Sequence, residues 1–468
     1  MKKEAKKHDL VKIAGIMVLI SVLLTWLIPQ GMFQNGSLSV GDITRVGIFD
    51  FFTYGLLGMY YFTVLVTFLF VLGGFYQVLS KTGGYQKLTD KIAKTFKGKE
   101  ILFALVVSFI IAALSAVTNE YVLLITVAPL IITIARKMHL DKLTAFNITF
   151  GAILVGVLGS IYSPKVVGIS VSYLSIEYNT LIWVKLVMFV LSFLAYNTFT
   201  ILHLVKTKKS SKKEEQIEEL FVSEETTTKT KVWPLVVVLS IFFVIAILAY
   251  LPWESAFNIT WFTKATESIT TFKILDEPIF GYILGSSLLA FGKWDIFGIQ
   301  VLMLITTLVI KWIYKIKFDE FLEAYGEGFK KVGKLVVLLL LCYLVLEFAV
   351  MFPVLPTIVD WIVGLSSKLN VLLSTISGLL SSMFTVEYQY TANLIGTYLV
   401  ATFADYKEQI ALMLQSTFGL ASMFTPSSAI LLVGLGYLGI TYKEWMKYIW
   451  KFLLIMFAVI IIIMLIIC

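Results

Sequence analysis

The chain has 468 residues, of which 59% are hydrophobic and 15% charged, and its formal net charge is +8. Soluble domains are nearer half apolar and a quarter charged, so this composition excludes a soluble globular protein. The positive charge is not a nucleic-acid footprint, because the basic residues fall in short segments between apolar runs, as cytoplasmic loops do. Cys342, Cys468 and the scattered His8, His139 and His203 give neither a disulfide framework nor metal-ligand spacing. No metal or cofactor is expected.

A helical crossing needs about 20 mainly apolar residues, and such stretches recur along the whole chain. Only helices satisfy their own backbone within segments this apolar, so the expected fold is an all-α polytopic membrane protein. Lys2, Lys3, Lys6, Lys7 and Lys12 predict a cytoplasmic N-terminus. The apolar run that follows resembles a signal peptide, but Trp26-Leu27-Ile28-Pro29-Gln30 offers no small-residue cleavage site, so a retained helix from Ile13 to Ile28 is predicted. The lysine-free segment Gln30–Asp50 suits the outside, and a second helix, Phe51 to Leu79, returns to the basic stretch Lys81–Lys99, where Tyr85–Phe96 is amphipathic.

Ile101–Ala135 is apolar, with basic residues at both ends and a polar break at Ser115–Glu120. Either two helices meet outside at that break or a re-entrant hairpin enters and leaves by one face. A crossing from Leu143 leads into Ser160-Ile-Tyr-Ser-Pro-Lys165, and another, Leu181 to Leu204, returns inside. Lys206–Lys231 reads as a solvated linker of mixed charge. Beyond it come a crossing at Leu235–Leu251, an outer loop with a short apolar piece at Ile279–Phe291, a helix at Gly298–Ile310, the basic amphipathic stretch Lys311–Lys334 and a crossing at Leu335–Val354. Val371–Phe403 is broken at Met383–Glu387, and the last crossings are Ala411–Leu435 and Phe452–Ile467.

The two halves correspond. Glu120-Tyr121 precedes Ser160-Ile-Tyr-Ser163-Pro164 as Glu387-Tyr388 precedes Ser422-Met-Phe-Thr425-Pro426, and Leu158–Pro164 aligns on Leu420–Pro426 without a gap. A matched pair of interrupted helices is the best sequence pointer to a carrier's binding site, although proline and small residues also occur in membrane helices for packing alone. The expected architecture is two inverted repeats, each with a re-entrant hairpin and a broken helix, with about nine full crossings plus the two hairpins. The segments are 1–205, first transmembrane repeat; 206–231, cytoplasmic linker; 232–295, connecting helix and outer loop; and 296–468, second repeat.

Val22-Leu-Leu-Thr-Trp-Leu-Ile-Pro29, Val71-Leu-Gly-Gly-Phe75, Lys81-Thr-Gly-Gly84, Gly156-Val-Leu-Gly-Ser160 and the run from Phe424-Thr-Pro-Ser-Ser428 to Trp445 resemble the YfcC-type carriers. These are related to the DcuC and ArcD transporters of the wider ion transporter superfamily. The resemblance covers nearly the whole chain. It implies hairpins dipping from opposite faces, substrate held between their tips and the broken crossings, elevator-like movement and a homodimer. The sodium-coupled relatives carry Ser-Asn-Thr at the tips, where this chain has Thr118-Asn119-Glu120 and Thr385-Val386-Glu387.

A charge at mid-membrane is costly and faces a cavity or a partner, which singles out Glu120 and Glu387, with Lys165 the comparably placed base. The expected substrate-binding set is Thr118, Asn119, Glu120, Ser160, Tyr162, Ser163, Lys165, Thr385, Glu387, Ser422, Phe424, Thr425 and Ser427. A carboxylate forks onto a guanidinium, Lys165 and free helix-end N–H groups suit a carboxylate, and Tyr162 and Phe424 can stack on a cation. The alternative use of Lys165 with one glutamate is a buried pair serving packing alone. Glu347 is a weaker candidate.

The expected function is a secondary active transporter, exchanging or ion-coupled, of small amino-acid-like metabolites, with basic amino acids such as arginine and ornithine first. A C4-dicarboxylate or a neutral amino acid or peptide is the alternative substrate. An intramembrane enzyme or a channel ranks below, because no cluster of metal ligands or acids sits at a membrane face and a two-fold repeat favours alternating access over a pore. No ATP-binding motif is present, so uphill transport would draw on a coupling ion or counter-substrate. The expected partners are the small-molecule substrate and the lipid bilayer, with no nucleic acid, and the expected location is the bacterial inner membrane.

Overall fold

The computed structural model describes residues 9–34, 37–209, 217, 220–221, 231–285 and 287–468. Lys2, Lys3, Lys6, Lys7, His8 and most of the linker lie outside the described residues.

The first half comprises α1 (Asp9–Leu27), α2 (Ile48–Tyr61), α3 (Thr63–Lys81), α4 (Gly83–Thr95), α5 (Glu100–Thr118), α6 (Tyr121–Lys137), α7 (Lys142–Leu158), α8 (164–174) and α9 (Ile182–Lys209). After the linker come α10 (Trp233–Tyr250), α11 (Trp261–Thr271), α12 (Ile279–Leu284), α13 (Ile296–Ile313) and α14 (Phe318–Met351). The chain closes with α15 (Leu355–Val363), α16 (Val371–Ser382), α17 (388–402), α18 (Lys407–Ser422), α19 (Ala429–Leu438) and α20 (Tyr442–Ile467). Eight of these, α1, α3, α5, α9, α10, α13, α14 and α20, are long and apolar enough to cross a membrane. The protein is an all-α polytopic membrane protein. Among the described residues the departure is one short antiparallel hairpin, β1 (Gly31–Gln34) with β2 (Ser37–Val40), in the segment expected outside.

Three segments differ from the sequence expectation for local reasons. The helix expected over Phe51–Leu79 is two, because the chain turns at Phe62 between α2 and α3. The basic stretch and the crossing after it, expected as separate pieces, form the single 34-residue α14, about 50 Å long at 1.5 Å per residue. No proline stands at the join, and Gly333 beside Lys334-Leu335 does not adopt a left-handed cap, so the helix propagates through it. The linker is not wholly solvated either: Ile217 and Phe221 are buried, and the Phe221 ring stacks on Tyr76 at 5.7 Å.

Small residues let α3 and α14 pack closely. A Cβ on Gly73 of α3 would lie 2.6 Å from the Gly328 carbonyl oxygen of α14, so only glycine lets the two backbones meet there. From that crossing α14 runs on past Phe62, whose ring lies 4.1 Å from that of Tyr343.

The two polar breaks have different arms. α5 and α6 are 19 and 17 residues long and meet at Asn119-Glu120. α16 has 12 residues, about 18 Å, too short to cross alone, and α17 follows it after Met383–Glu387. The backbone at the two breaks is nevertheless alike. Asn119 has φ 48° and Val386 has φ 45°, so in each break a left-handed residue stands immediately before the Glu-Tyr pair.

Candidate substrate-binding site

A left-handed residue reverses the chain in one step and ends the incoming helix. At the first break Asn119 caps the C-terminus of α5 and Glu120 stands at the start of α6. At the second break α16 already ends at Ser382, and Val386 turns the chain four residues later, before Glu387 and α17, with a β-branched side chain that disfavours this conformation.

Each break is stitched to the broken crossing of its own half. The N–H groups of Ile161 and Tyr162 donate to the Ala116 carbonyl at 2.8 and 3.4 Å, and the Ser163 hydroxyl donates to the Thr118 carbonyl at 3.4 Å. In the second half the Thr425 and Ser427 hydroxyls both donate to the Met383 carbonyl, at 3.1 and 2.5 Å. The carbonyls left free at a helix C-terminus find donors in this way without water, as membrane-buried backbone requires.

Between the breaks lies a cavity of about 150 Å³ lined by Asn119, Tyr121, Val157, Lys165, Ile169, Tyr343, Val386, Glu387, Tyr388, Gln389, Phe418, Ser422, Ser428, Ala429 and Ile430. Four helices begin at its wall: α6 with Tyr121, α8 with Lys165, α17 with Tyr388 and α19 with Ala429. A helix N-terminus carries about half a positive charge.

One polar chain runs along the cavity. The Lys165 Nζ lies 2.8 Å from the Glu120 Oε2, with the lysine side chain 41% exposed and the glutamate 9%. The same ammonium stands 5.1 Å from the centroid of the Tyr121 ring. The Tyr121 hydroxyl is 3.3 Å from that of Tyr343, which donates to Glu387 Oε1 at 2.7 Å. The two glutamates are thus joined through a lysine and two tyrosines. The halves also touch at Ser170, whose hydroxyl is 2.7 Å from that of Tyr388 and accepts from Gln415 Nε2 at 3.0 Å.

Of the residues singled out from sequence, Asn119, Lys165, Glu387 and Ser422 line the cavity, and Glu120 is held against Lys165. The Asn119 Oδ1 is buried without a partner. The others lie behind the wall. Thr118 donates to the Leu114 carbonyl at 2.7 Å, Ser160 to Val157 at 2.9 Å, and Ser163, Thr425 and Ser427 join the breaks. Thr385 pairs with Thr391 at 2.5 Å. The aromatic pair is drawn away: Tyr162 packs on Phe257 at 5.5 Å, and Phe424 is not among the cavity residues.

The wall also takes in Tyr121, Tyr343, Phe418 and Ser428, none of which the sequence singled out as a substrate contact, and Gln389, an amide beside the second break. Tyr343 carries a readable signal, because it stands four residues before Glu347 in a leucine-rich run, which places both on one helical face.

Residues 8–468 match the sequence model of the family DcuC, C4-dicarboxylate anaerobic carrier. No curated protein matches the chain. Among solved structures, the YdaH transporter of Alcanivorax borkumensis aligns at 10% identity and TM-score 0.39, over 98% of this chain and 97% of that one. The Neisseria gonorrhoeae MtrF structure, titled as illuminating a class of antimetabolite efflux pumps, aligns at 13% identity and TM-score 0.38, over 97% and 94%. With the family match running from residue 8 to the last residue, the chain belongs to the DcuC family of membrane carriers.

Proposed function

We propose that the chain is a secondary active transporter of small carboxylates, with C4-dicarboxylates such as succinate first. The observation that carries this reading is the ammonium of Lys165 in a cavity where four helices begin. Helix N-termini and a lysine together attract carboxylate oxygens. The Lys165 ammonium and the Glu120 carboxylate offset each other, which leaves four helix ends against Glu387 alone. The family description, C4-dicarboxylate anaerobic carrier, points the same way. The Asn119 amide and the Ser422 and Ser428 hydroxyls at the wall offer further polar contacts.

The rest of the proposal follows from the sequence. Segments 1–205 and 296–468 act as inverted halves joined by the linker and the connecting helix, and the transport region moves elevator-like against a scaffold in a homodimer. A coupling ion or counter-substrate supplies the driving force. The chain sits in the bacterial inner membrane with its N-terminus in the cytoplasm.

One observation favours a second reading. Glu387 faces the cavity opposite Lys165, an arrangement that suits a zwitterion such as arginine or ornithine, with the carboxylate at the lysine and the cation at the glutamate. Proteoliposomes preloaded with succinate or ornithine and offered labelled succinate or arginine separate the two. Succinate exchange is expected. Arginine–ornithine exchange without succinate exchange overturns the first reading in favour of the second.

A further inference from the structure

The cavity does not account for every buried acid. Glu347 lies on α14, is 6% exposed, and its Oε1 is buried without a hydrogen-bond partner. It stands one helical turn beyond Tyr343, on the side of the cavity away from the basic stretch Lys330-Lys331 and Lys334 at the other end of the helix. α2 lies directly on it: a Cβ added at Gly58 would come within 3.8 Å of the Glu347 Cβ and Cγ.

Among the described residues, the helices packed on Glu347 set no counter-charge beside it. α1 has no titratable side chain from Ile13 to Leu27, and the one charged residue of α2 is Asp50. Tyr54 of α2 turns to Phe348 and Phe352. On α3 the titratable groups are Tyr76 and Lys81, beyond the Gly73 crossing, and on α19 the one such group is Tyr437. From α17, Tyr390 is within electrostatic reach, and Glu387 is reached through Tyr343. The groups that face Glu347 are therefore tyrosines and a second acid.

An ionised carboxylate buried without a partner is among the costliest arrangements in a membrane protein, and binding a proton removes the charge. We propose that Glu347 is a proton-binding site of this carrier, loading a proton on one side of the membrane and releasing it on the other, so that Glu347 couples transport to the proton gradient. The coupling rests on the carrier reading above; the binding of the proton does not.

The test has two arms on the full-length chain. Infrared titration of the purified protein without substrate reads the carbonyl stretch of a protonated carboxyl group. The band is expected at neutral pH and is expected to vanish in Glu347→Gln. An unchanged band overturns the proposal even if the protein proves to carry no succinate. In proteoliposomes, a gradient of about one pH unit drives about tenfold accumulation for each coupled proton. Glu347→Gln is expected to abolish that tenfold accumulation of labelled succinate while leaving succinate–succinate exchange within about twofold, and Glu347→Asp to restore part of it. Equal loss of accumulation and exchange in Glu347→Gln, or accumulation retained, overturns the proposal. A parent chain that exchanges arginine and not succinate overturns the substrate reading alone.

Discussion

The breaks at Glu120 and Glu387 share a backbone and differ in what answers the carboxylate. Both follow a left-handed residue, both precede a tyrosine that opens a helix, and both are stitched to the broken crossing of their own half. Glu120 is buried against an ammonium, whereas Glu387 is half-buried, faces the cavity and is held by one tyrosine hydroxyl. The first carboxylate thus meets a counter-charge within the protein, while the second faces the cavity with a tyrosine hydrogen bond. A left-handed residue before a Glu-Tyr pair recurs in both halves, yet the two carboxylates meet different partners.

The largest test of that contrast is Lys165→Ala. Removing one partner of a buried pair costs about 3–5 kcal/mol, and the 41% exposure of the lysine side chain places the expected loss at the lower end. Stability in a detergent-solubilised thermal melt should fall accordingly and transport should be lost, whereas Glu120→Gln with Lys165→Gln together should recover most of the stability and none of the transport. If the single and double variants melt alike, the pair is not what holds the first break.

Glu387→Gln is expected to leave the melt within about 1 kcal/mol, because the glutamine oxygen can still accept from Tyr343, while raising the KM for substrate. An unaltered KM would make the two glutamates equivalent and remove the contrast. Tyr343→Phe takes away one hydrogen bond to a charged group, worth about 1.5–3 kcal/mol, and should raise the KM for substrate more than it lowers kcat.

The backbone itself offers a smaller effect. Asparagine tolerates the left-handed region and valine does not, by about 1–2 kcal/mol. Val386→Asn should raise the melting temperature and Asn119→Val should lower it, a reciprocal pair that fails if the breaks are not alike.

Outside both breaks, Asp141 caps α7 by accepting from the Leu143 and Thr144 N–H groups and meets His203 Nε2 at 2.9 Å. Burial works to raise its pKa, but the bonds from His203 and Thr144 outweigh it and hold the carboxyl below the usual carboxylate range. A group lowered on folding stabilises above its unfolded value, near pH 4, and that share is lost as pH falls through the lower folded value. Asp141→Asn should cost about 1 kcal/mol at neutral pH, and this deficit should shrink in melts taken below about pH 4.

Much of this was legible in the sequence for definite reasons. Twenty-residue apolar runs allow only helices, and lysines at their ends mark the loops. Glu120, Glu387 and Lys165 stood out because charge is rare in such runs. Tyr162 and Phe424 show where reading stopped: matched positions in an aligned motif do not fix which way a side chain turns, and the Tyr162 ring packs on Phe257, between α10 and α11. Thr118, Ser163, Thr425 and Ser427 carry the hydroxyls expected of a binding site, yet they are used on backbone carbonyls that only the folded breaks leave free.

The sequence by itself determined that the chain crosses a membrane repeatedly, where it breaks, and which charges are too costly to be idle, because hydropathy and charge act through local stretches of chain. Only the tertiary structure decided which charge meets which. Glu120 pairs with Lys165 forty-five residues on, Glu387 with a tyrosine from another helix, and Glu347 with no partner at all for its Oε1. Partnership of that kind depends on how helices remote in sequence pack, and no local pattern encodes it.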